Sequence, residues 1–189
     1  MPYSSPLFDR HIRDIVDLIK PITALDIGAG AGKYGELIKE IIPTSKVTAI
    51  EIESDYINQF SLNNIYDEVW NINVMDLISP KYYEHNFDLV MIGDIIEHLR
   101  KSDGIDLINY LVYRSKWILI EFPHHYLQNA VGGYSSEAHI SVWGENDFSV
   151  FDATSLYKKD GQRFIIIKGY LAEELINLKD IENILNNHE

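Results

Sequence analysis

Three alternating glycines, Gly28-Ala-Gly30-Ala-Gly32, stand between an extended apolar run and a helical one. Thr23-Ala-Leu-Asp-Ile27 reads as a short buried strand. Lys33 to Ile42 reads as a helix, with Leu37, Ile38, Ile41 and Ile42 on one face and Pro43 as its stop. A strand that enters a helix through a glycine turn begins a βαβ unit. Such units pack into a parallel sheet with helices on its faces.

The rest of the chain repeats the alternation. The spacing predicts a helix over Asp9 to Lys20, a strand at Lys46–Ile50 and a helix over Ser54 to Phe60 with Ser54 as its cap. Strands follow at Glu68–Val74, Phe87–Ile92 and Trp117–Ile120, with a helix over Asp103 to Ser115. Asp160-Gly161 marks a hairpin turn between Ser155–Lys158 and Arg163–Lys168. Leu171, Leu175, Leu178, Ile181 and Leu185 suggest one face of a terminal helix.

A length of 189 residues suits one domain with one substantial core. The expected division is an N-terminal helix (1–20), a cofactor-binding core (22–122), an acceptor-side loop or lid (123–148), the hairpin (149–169) and the C-terminal helix (170–189). The chain has no cysteine and a net charge of −13. Disulfides and thiolate metal sites are excluded, and nucleic acid and anionic membranes are disfavoured as partners. Without a signal-like or membrane-spanning stretch, the chain is expected to be cytoplasmic.

Open sheets of this kind bind ligands at the carboxyl ends of their strands. Gly28, Gly30 and Gly32 let the backbone approach a ligand closely, and the helix start offers N–H groups to a carboxylate. Glu51 ends the next strand, about 20 residues on, where an acid accepts hydrogen bonds from ribose hydroxyls. An adenosine-containing cofactor fits both. The glycines alone leave two registers open, because Gly30-Ala-Gly32-Lys-Tyr-Gly35 also satisfies the dinucleotide pattern of nicotinamide oxidoreductases.

Four ordered segments break that tie. Leu25-Asp26-Ile-Gly28-Ala-Gly30-Ala-Gly32, Val47–Glu51, Asn73-Val-Met-Asp76 and Phe87–Leu99 resemble, in order, the motifs of class I S-adenosylmethionine (SAM)-dependent methyltransferases. The resemblance implies an α/β, Rossmann-like, doubly wound sheet of seven mostly parallel strands, with an antiparallel C-terminal hairpin strand and helices on both faces. It implies SAM as cofactor and a small-molecule acceptor methylated at a hydroxyl or amine. By position, Asp26 would organise the turn, and Gly28, Ala29, Gly30 and Gly32 would flank the methionine part. Glu51 and Ile52 would meet the ribose; Met75, Asp76 and Leu77 the adenine; Gly93 and Asp94 the sulfonium.

Asp94, Glu97 and His98, spaced i, i+3 and i+4, would share a face if a helix followed directly. With His139 in His139-Ile-Ser-Val-Trp143 they resemble the divalent-metal site of RNA 2′-O-methyltransferases and of some ubiquinone-type O-methyltransferases. Asp94, His98 and His139 are therefore candidate catalytic residues. Asp94, Glu97, His98 and His139 are candidate ligands for Mg²⁺ or another divalent ion. His124 and His125 lie at another strand end, and Gly132-Gly133 suit a lid hinge. Four readings compete: a small-molecule methyltransferase, an RNA 2′-O-methyltransferase with a metal, a nicotinamide oxidoreductase, and a non-catalytic SAM-binding protein. The charge opposes the second. A monomer and a homodimer are both open.

Overall fold

The computed structural model describes residues 3–154, 156–173 and 175–186. Its elements are α1 (Asp9–Ile19), β1 (Thr23–Ile27), α2 (Lys33–Ile41), β2 (Lys46–Ile50), α3 (Ser54–Gln59), β3 (Glu68–Trp70), β4 (Phe87–Gly93), α4 (Lys101–Val112), β5 (Ser115–Pro123), β6 (Tyr157–Lys159), β7 (Gln162–Lys168) and α5 (Leu178–Asn186). The sheet order is β3-β2-β1-β4-β5-β7-β6. β1 to β5 pair in parallel, while β7 runs antiparallel to both β5 and β6. The expected fold class is thus the observed one.

The sheet has an apolar core on each face, which is why β4 and β5 read as continuous apolar runs rather than alternating ones. Leu25, Ile27, Val90, Ile92, Ile118 and Ile120 face one layer with Leu107 and Leu111 of α4. Ala24, Val47, Ala49, Leu89, Met91 and Leu119 face the other, with Ile12 and Val16 of α1, Ile38 of α2 and Ile181 of α5. Register sets the strand ends level: Ile27 lies opposite both Ile50 and Ile92, and Gly93 opposite Glu121. The residues that follow, Gly28, Glu51 and Asp94, therefore emerge on one edge. Chain order reverses between β1 and β4, so the crevice opens there.

Several local expectations need correction. Ser54 is the first helical residue of α3; Glu53 holds the cap position, with no side-chain cap bond. β3 stops at Trp70, and Val74–Leu77 form a separate 3-10 turn whose start is capped by Asn73 accepting from the Met75 N–H at 2.9 Å. α5 begins only at Leu178, where Ile181 and Leu185 are buried; Leu175 is 86% exposed and belongs to no helix. Gly169, turned against the Ser115 carbonyl, ends the sheet in a non-helical connection. The hairpin turns at Asp160 and Gly161, both at positive φ (43° and 84°), as an Asp-Gly turn requires. Ser155 lies outside the described residues. Among the described residues no helix is long and apolar enough to cross a membrane.

Candidate active site

The glycine turn is fixed from β2. The Gly28 and Ala29 N–H groups donate to the Ile50 carbonyl at 2.8 and 3.1 Å. The Gly30 N–H donates to Glu51 Oε2 at 2.8 Å, and the Glu53 N–H to Oε1 at 2.9 Å. Those first N–H groups are thus committed to β2 and its terminal acid. Gly28 and Gly30 take φ of 74° and 50°, which a β-carbon disfavours. Asp26 is wholly buried beneath the turn and accepts from Tyr66 Oη at 2.6 Å. That hydroxyl accepts in turn from the Gly35 N–H at 3.2 Å, tying the turn to α2. Burial pushes the Asp26 carboxyl up to about 7, against the lowering effect of the Tyr66 bond.

A cavity opens over this turn. Of the predicted cofactor residues, Gly28, Gly30, Glu51, Ile52, Gly93 and Asp94 line it. Asp26, Ala29 and Gly32 lie in or under the turn, outside the described lining. Met75, Asp76 and Leu77 are not among the described lining residues either; Ile72, Asn73 and Val74 take that wall. Early termination of β3 brings the chain over the cavity sooner, and the 3-10 turn sends Leu77 into the core and Asp76 to solvent.

A second cavity adjoins it, lined by Glu97, His124 and His139 among others, and Asp94 and His98 line both. β4 does not run straight into a helix. Asp94 takes φ 53°, with its N–H donating to the Glu121 carbonyl at 2.8 Å; Ile96–His98 form a 3-10 turn, and α4 starts at Lys101. Asp94, Glu97 and His98 therefore do not share a helical face. The donor atoms of Glu97, His98 and His139 instead lie within 4.8 Å of one another, and Asp94 stands outside that group. A non-glycine residue held at positive φ beside a cavity is the kind of strain that marks functional sites.

The loop after β5 delivers His139. The Ile140 and Ser141 N–H groups donate to the Glu97 carbonyl at 2.8 and 3.1 Å. Trp143 Nε1 donates to the Ile96 carbonyl at 2.9 Å, and its ring covers Gly104, where a β-carbon would approach within 2.5 Å. His98 Nδ1 lies 3.1 Å from the Ala138 carbonyl, and His139 Nδ1 lies 2.8 Å from the Tyr126 carbonyl. Both contacts place the proton on Nδ1 and leave a lone pair on each Nε2. Glu97 is 2% exposed, and neither of its oxygens has a hydrogen-bond partner among the described residues. Burial, then the Asp94 charge, holds its carboxyl well above the usual range. Burial also lowers His98 below the ordinary imidazole value.

Four participants escape sequence reasoning. Glu121, buried at the end of β5, accepts from Tyr34 Oη at 2.9 Å and is pushed up to about 8 by burial and then by Asp94. Tyr34 packs against Gly93. Ser4 and Glu137 line the cofactor-side cavity. Only Glu121 carried a signal: an acid closing an apolar strand, one residue beyond the expected end. His124 lines the second cavity, whereas His125 is exposed at φ 53°.

Residues 25–108 match the family model described as a methyltransferase domain. That match spans less than half of the chain, and over it the sequence is similar to methyltransferase domains. Its fold matches solved methyltransferases at low identity. An O-methyltransferase family protein from Burkholderia thailandensis aligns over 88% of this chain and 58% of its own, with a TM-score of 0.60 and 14% identity. The plantazolicin methyltransferase BpumL, solved with S-adenosylhomocysteine (SAH), aligns over 86% and 83%, with a TM-score of 0.60 and 14% identity. Human N-acetylserotonin methyltransferase, solved with SAM, aligns over 86% and 52%, with a TM-score of 0.59 and 14% identity. The chain thus spans little more than half of the first and third. No curated protein matches the sequence.

Proposed function

We propose that the chain is a SAM-dependent methyltransferase acting on a hydroxyl or amine of a small molecule. The observation that carries this reading is the junction of the two cavities at Asp94 and His98. A methyl donor on the glycine side and an acceptor on the histidine side would meet there, and alignment alone supplies much of the rate in such a displacement. SAM would fit the first cavity: Gly28 and Gly30 bring bare backbone to its wall, and Glu51 on the same wall would accept from ribose hydroxyls. Bound there, SAM supplies an activated methyl group on a sulfonium.

The protein's own groups do the rest. Asp94, held at the β4 end by Glu121, borders both reactants. His98, with Nδ1–H fixed on Ala138, presents Nε2 as the acceptor for a proton leaving the nucleophile. His139 stands beside it, with ring centroids 4.7 Å apart. Titration calorimetry with SAM, SAH and NAD tests the cofactor, and binding of NAD alone overturns the reading. A metabolite screen for SAM-dependent SAH release tests the activity.

A second reading of the same residues rests on the buried Glu97 carboxyl, which accepts no hydrogen bond among the described residues and lies 4.0 Å from His139 Nε2. Glu97, His98 and His139 suit a divalent cation, because backbone carbonyls orient both imidazoles with Nε2 free, as metal-ligating histidines require. Such an ion would acidify an acceptor hydroxyl. Calorimetry with Mg²⁺ and Mn²⁺ tests it: no heat, and no density among the three residues in soaked crystals, removes the metal and leaves the base.

A further inference from the structure

The loop after β5 reaches both cavities through one short stretch. Ser136 and Glu137 line the cofactor-side cavity beside Glu53 and Tyr56, and His139 lines the acceptor-side one. Between them, the Ala138 carbonyl lies 3.1 Å from His98 Nδ1. A chain spans at most about 3.6 Å per residue, so Glu137 cannot move far without carrying Ala138 and His139 with it. The stretch is tied to the start of α3 by side-chain bonds. Tyr134 Oη donates to Asp55 Oδ2 at 2.8 Å, Ser136 Oγ to Glu53 Oε1 at 2.5 Å and Tyr56 Oη to Glu137 Oε1 at 3.0 Å. The Tyr56 and Tyr134 rings pack with centroids 5.2 Å apart. Just before this latch, Gly132 and Gly133 take φ of 60° and 91°, and a β-carbon on Gly133 would meet nothing within 4 Å. The turn stands clear of its neighbours there and can hinge. Segments held by a few such contacts open at far lower cost than the core.

We propose that cofactor binding closes this latch and thereby assembles the acceptor side. The inference rests on the SAM reading above. A ligand in the first cavity meets Ser136 and Glu137 only while they lie against α3, and a ligand that favours one of two states shifts the population towards it. Latched, the stretch presents the Ala138 carbonyl that orients His98 and holds His139 beside it. Unlatched, His98 loses that carbonyl and His139 its place. The proton acceptor is therefore complete when the methyl donor is in position.

The test is amide hydrogen exchange on the full chain with and without saturating SAH, whose binding is measured separately by calorimetry. The reporters are the Ile140 and Ser141 N–H groups, which donate to the Glu97 carbonyl on the acceptor side. SAH is expected to slow their exchange by about tenfold, within the usual range of coupling between two sites. The double variant Tyr56→Phe/Tyr134→Phe keeps both rings and removes two latch bonds. In it the slowing by SAH is expected to shrink several-fold, while the amides of α4 exchange as in the unaltered protein. SAH that binds without slowing the reporters overturns the coupling and leaves the cofactor assignment standing. A full slowing that persists in the double variant also overturns it. Failure of both SAM and SAH to bind the unaltered protein removes the cofactor assignment and the coupling together.

Discussion

The two cavities share Asp94 and His98 but are assembled in different ways. The cofactor side is built from strand ends that the backbone ladder holds level, with Gly28 and Glu51 one residue beyond a paired position and Gly93 paired with Glu121. The acceptor side depends on a long connection after β5, which reaches His98 through two backbone bonds to Glu97 and the Trp143 anchor. A cofactor common to many reactions can sit on the rigid part, while a variable acceptor is met by the loop, whose residues change without disturbing the sheet.

Separating the two sides by mutation gives the largest expected effect. His98→Asn removes the proposed proton acceptor and leaves the glycine turn intact. Methyl transfer should fall by about 10²- to 10⁴-fold, the range for a lost general base, while SAM affinity stays within a few-fold. An unchanged rate, measured on whichever acceptor the SAH-release screen identifies, would break the division of labour. The reverse experiment is Gly30→Val. Gly30 lines the cavity, and a β-branched side chain at its φ of 50° costs about 1–3 kcal/mol in strain. SAM binding should drop by about tenfold or more on that scale, with the circular-dichroism spectrum unchanged. Retained affinity would place the cofactor elsewhere.

The same division explains how much was legible in the sequence. Local pattern sufficed for the sheet, because glycine spacing, buried apolar runs and an Asp-Gly turn each act over a few residues. It placed Glu51 just after a strand and the resemblance placed Gly93 at a strand's end, and both line the cavity. It failed at Met75–Leu77, where the strand proved short and a 3-10 turn reversed which side chains point inward. It failed for the shared helical face at Asp94, because a positive φ intervenes there. Tyr34, Glu121 and Glu137 stayed hidden for another reason. Their significance is a contact across 81 or 87 residues, such as Tyr56 with Glu137 and Tyr34 with Glu121, which no local periodicity encodes. The pairing of His98 with His139 was visible only through the resemblance, and the structure supplies its cause in Trp143.

A smaller effect sharpens the cofactor side. Glu51→Ala should weaken SAM by about 1–3 kcal/mol, the cost of losing a charged hydrogen bond. Part of that loss comes from freeing the Gly30 and Glu53 N–H groups. Glu51→Gln keeps one acceptor oxygen and should recover part of the affinity. If both variants bind SAM as the unaltered protein does, another residue holds the ribose.

The smallest effect compares the two sides through acids buried beneath them. Asp26 under the glycine turn is pushed up to about 7, and Glu121 beneath Asp94 to about 8. Both carboxyls titrate near 4 in the unfolded chain, so between about 4 and 7–8 the folded protein binds more protons than the unfolded one. Their stabilising contribution is complete below the unfolded value and is lost as pH rises through the folded values. His98 acts in the opposite sense: with its folded value lowered, it favours the folded state as pH rises towards the ordinary imidazole value of about 6.5. The melting temperature is therefore expected to decline from about pH 4 to about 8, less steeply just below 6.5, where His98 opposes the carboxyls. Asp26→Asn should flatten the lower part of that decline while keeping an acceptor for Tyr66. Glu121→Gln should flatten the upper part while keeping an acceptor for Tyr34. Thermal melts across this range, with SAM absent, report each side separately. Glu51, Asp94 and Glu97 are raised by burial as well and keep a residual decline in both variants, so a profile that neither substitution alters would show that neither buried acid couples its side of the site to folding.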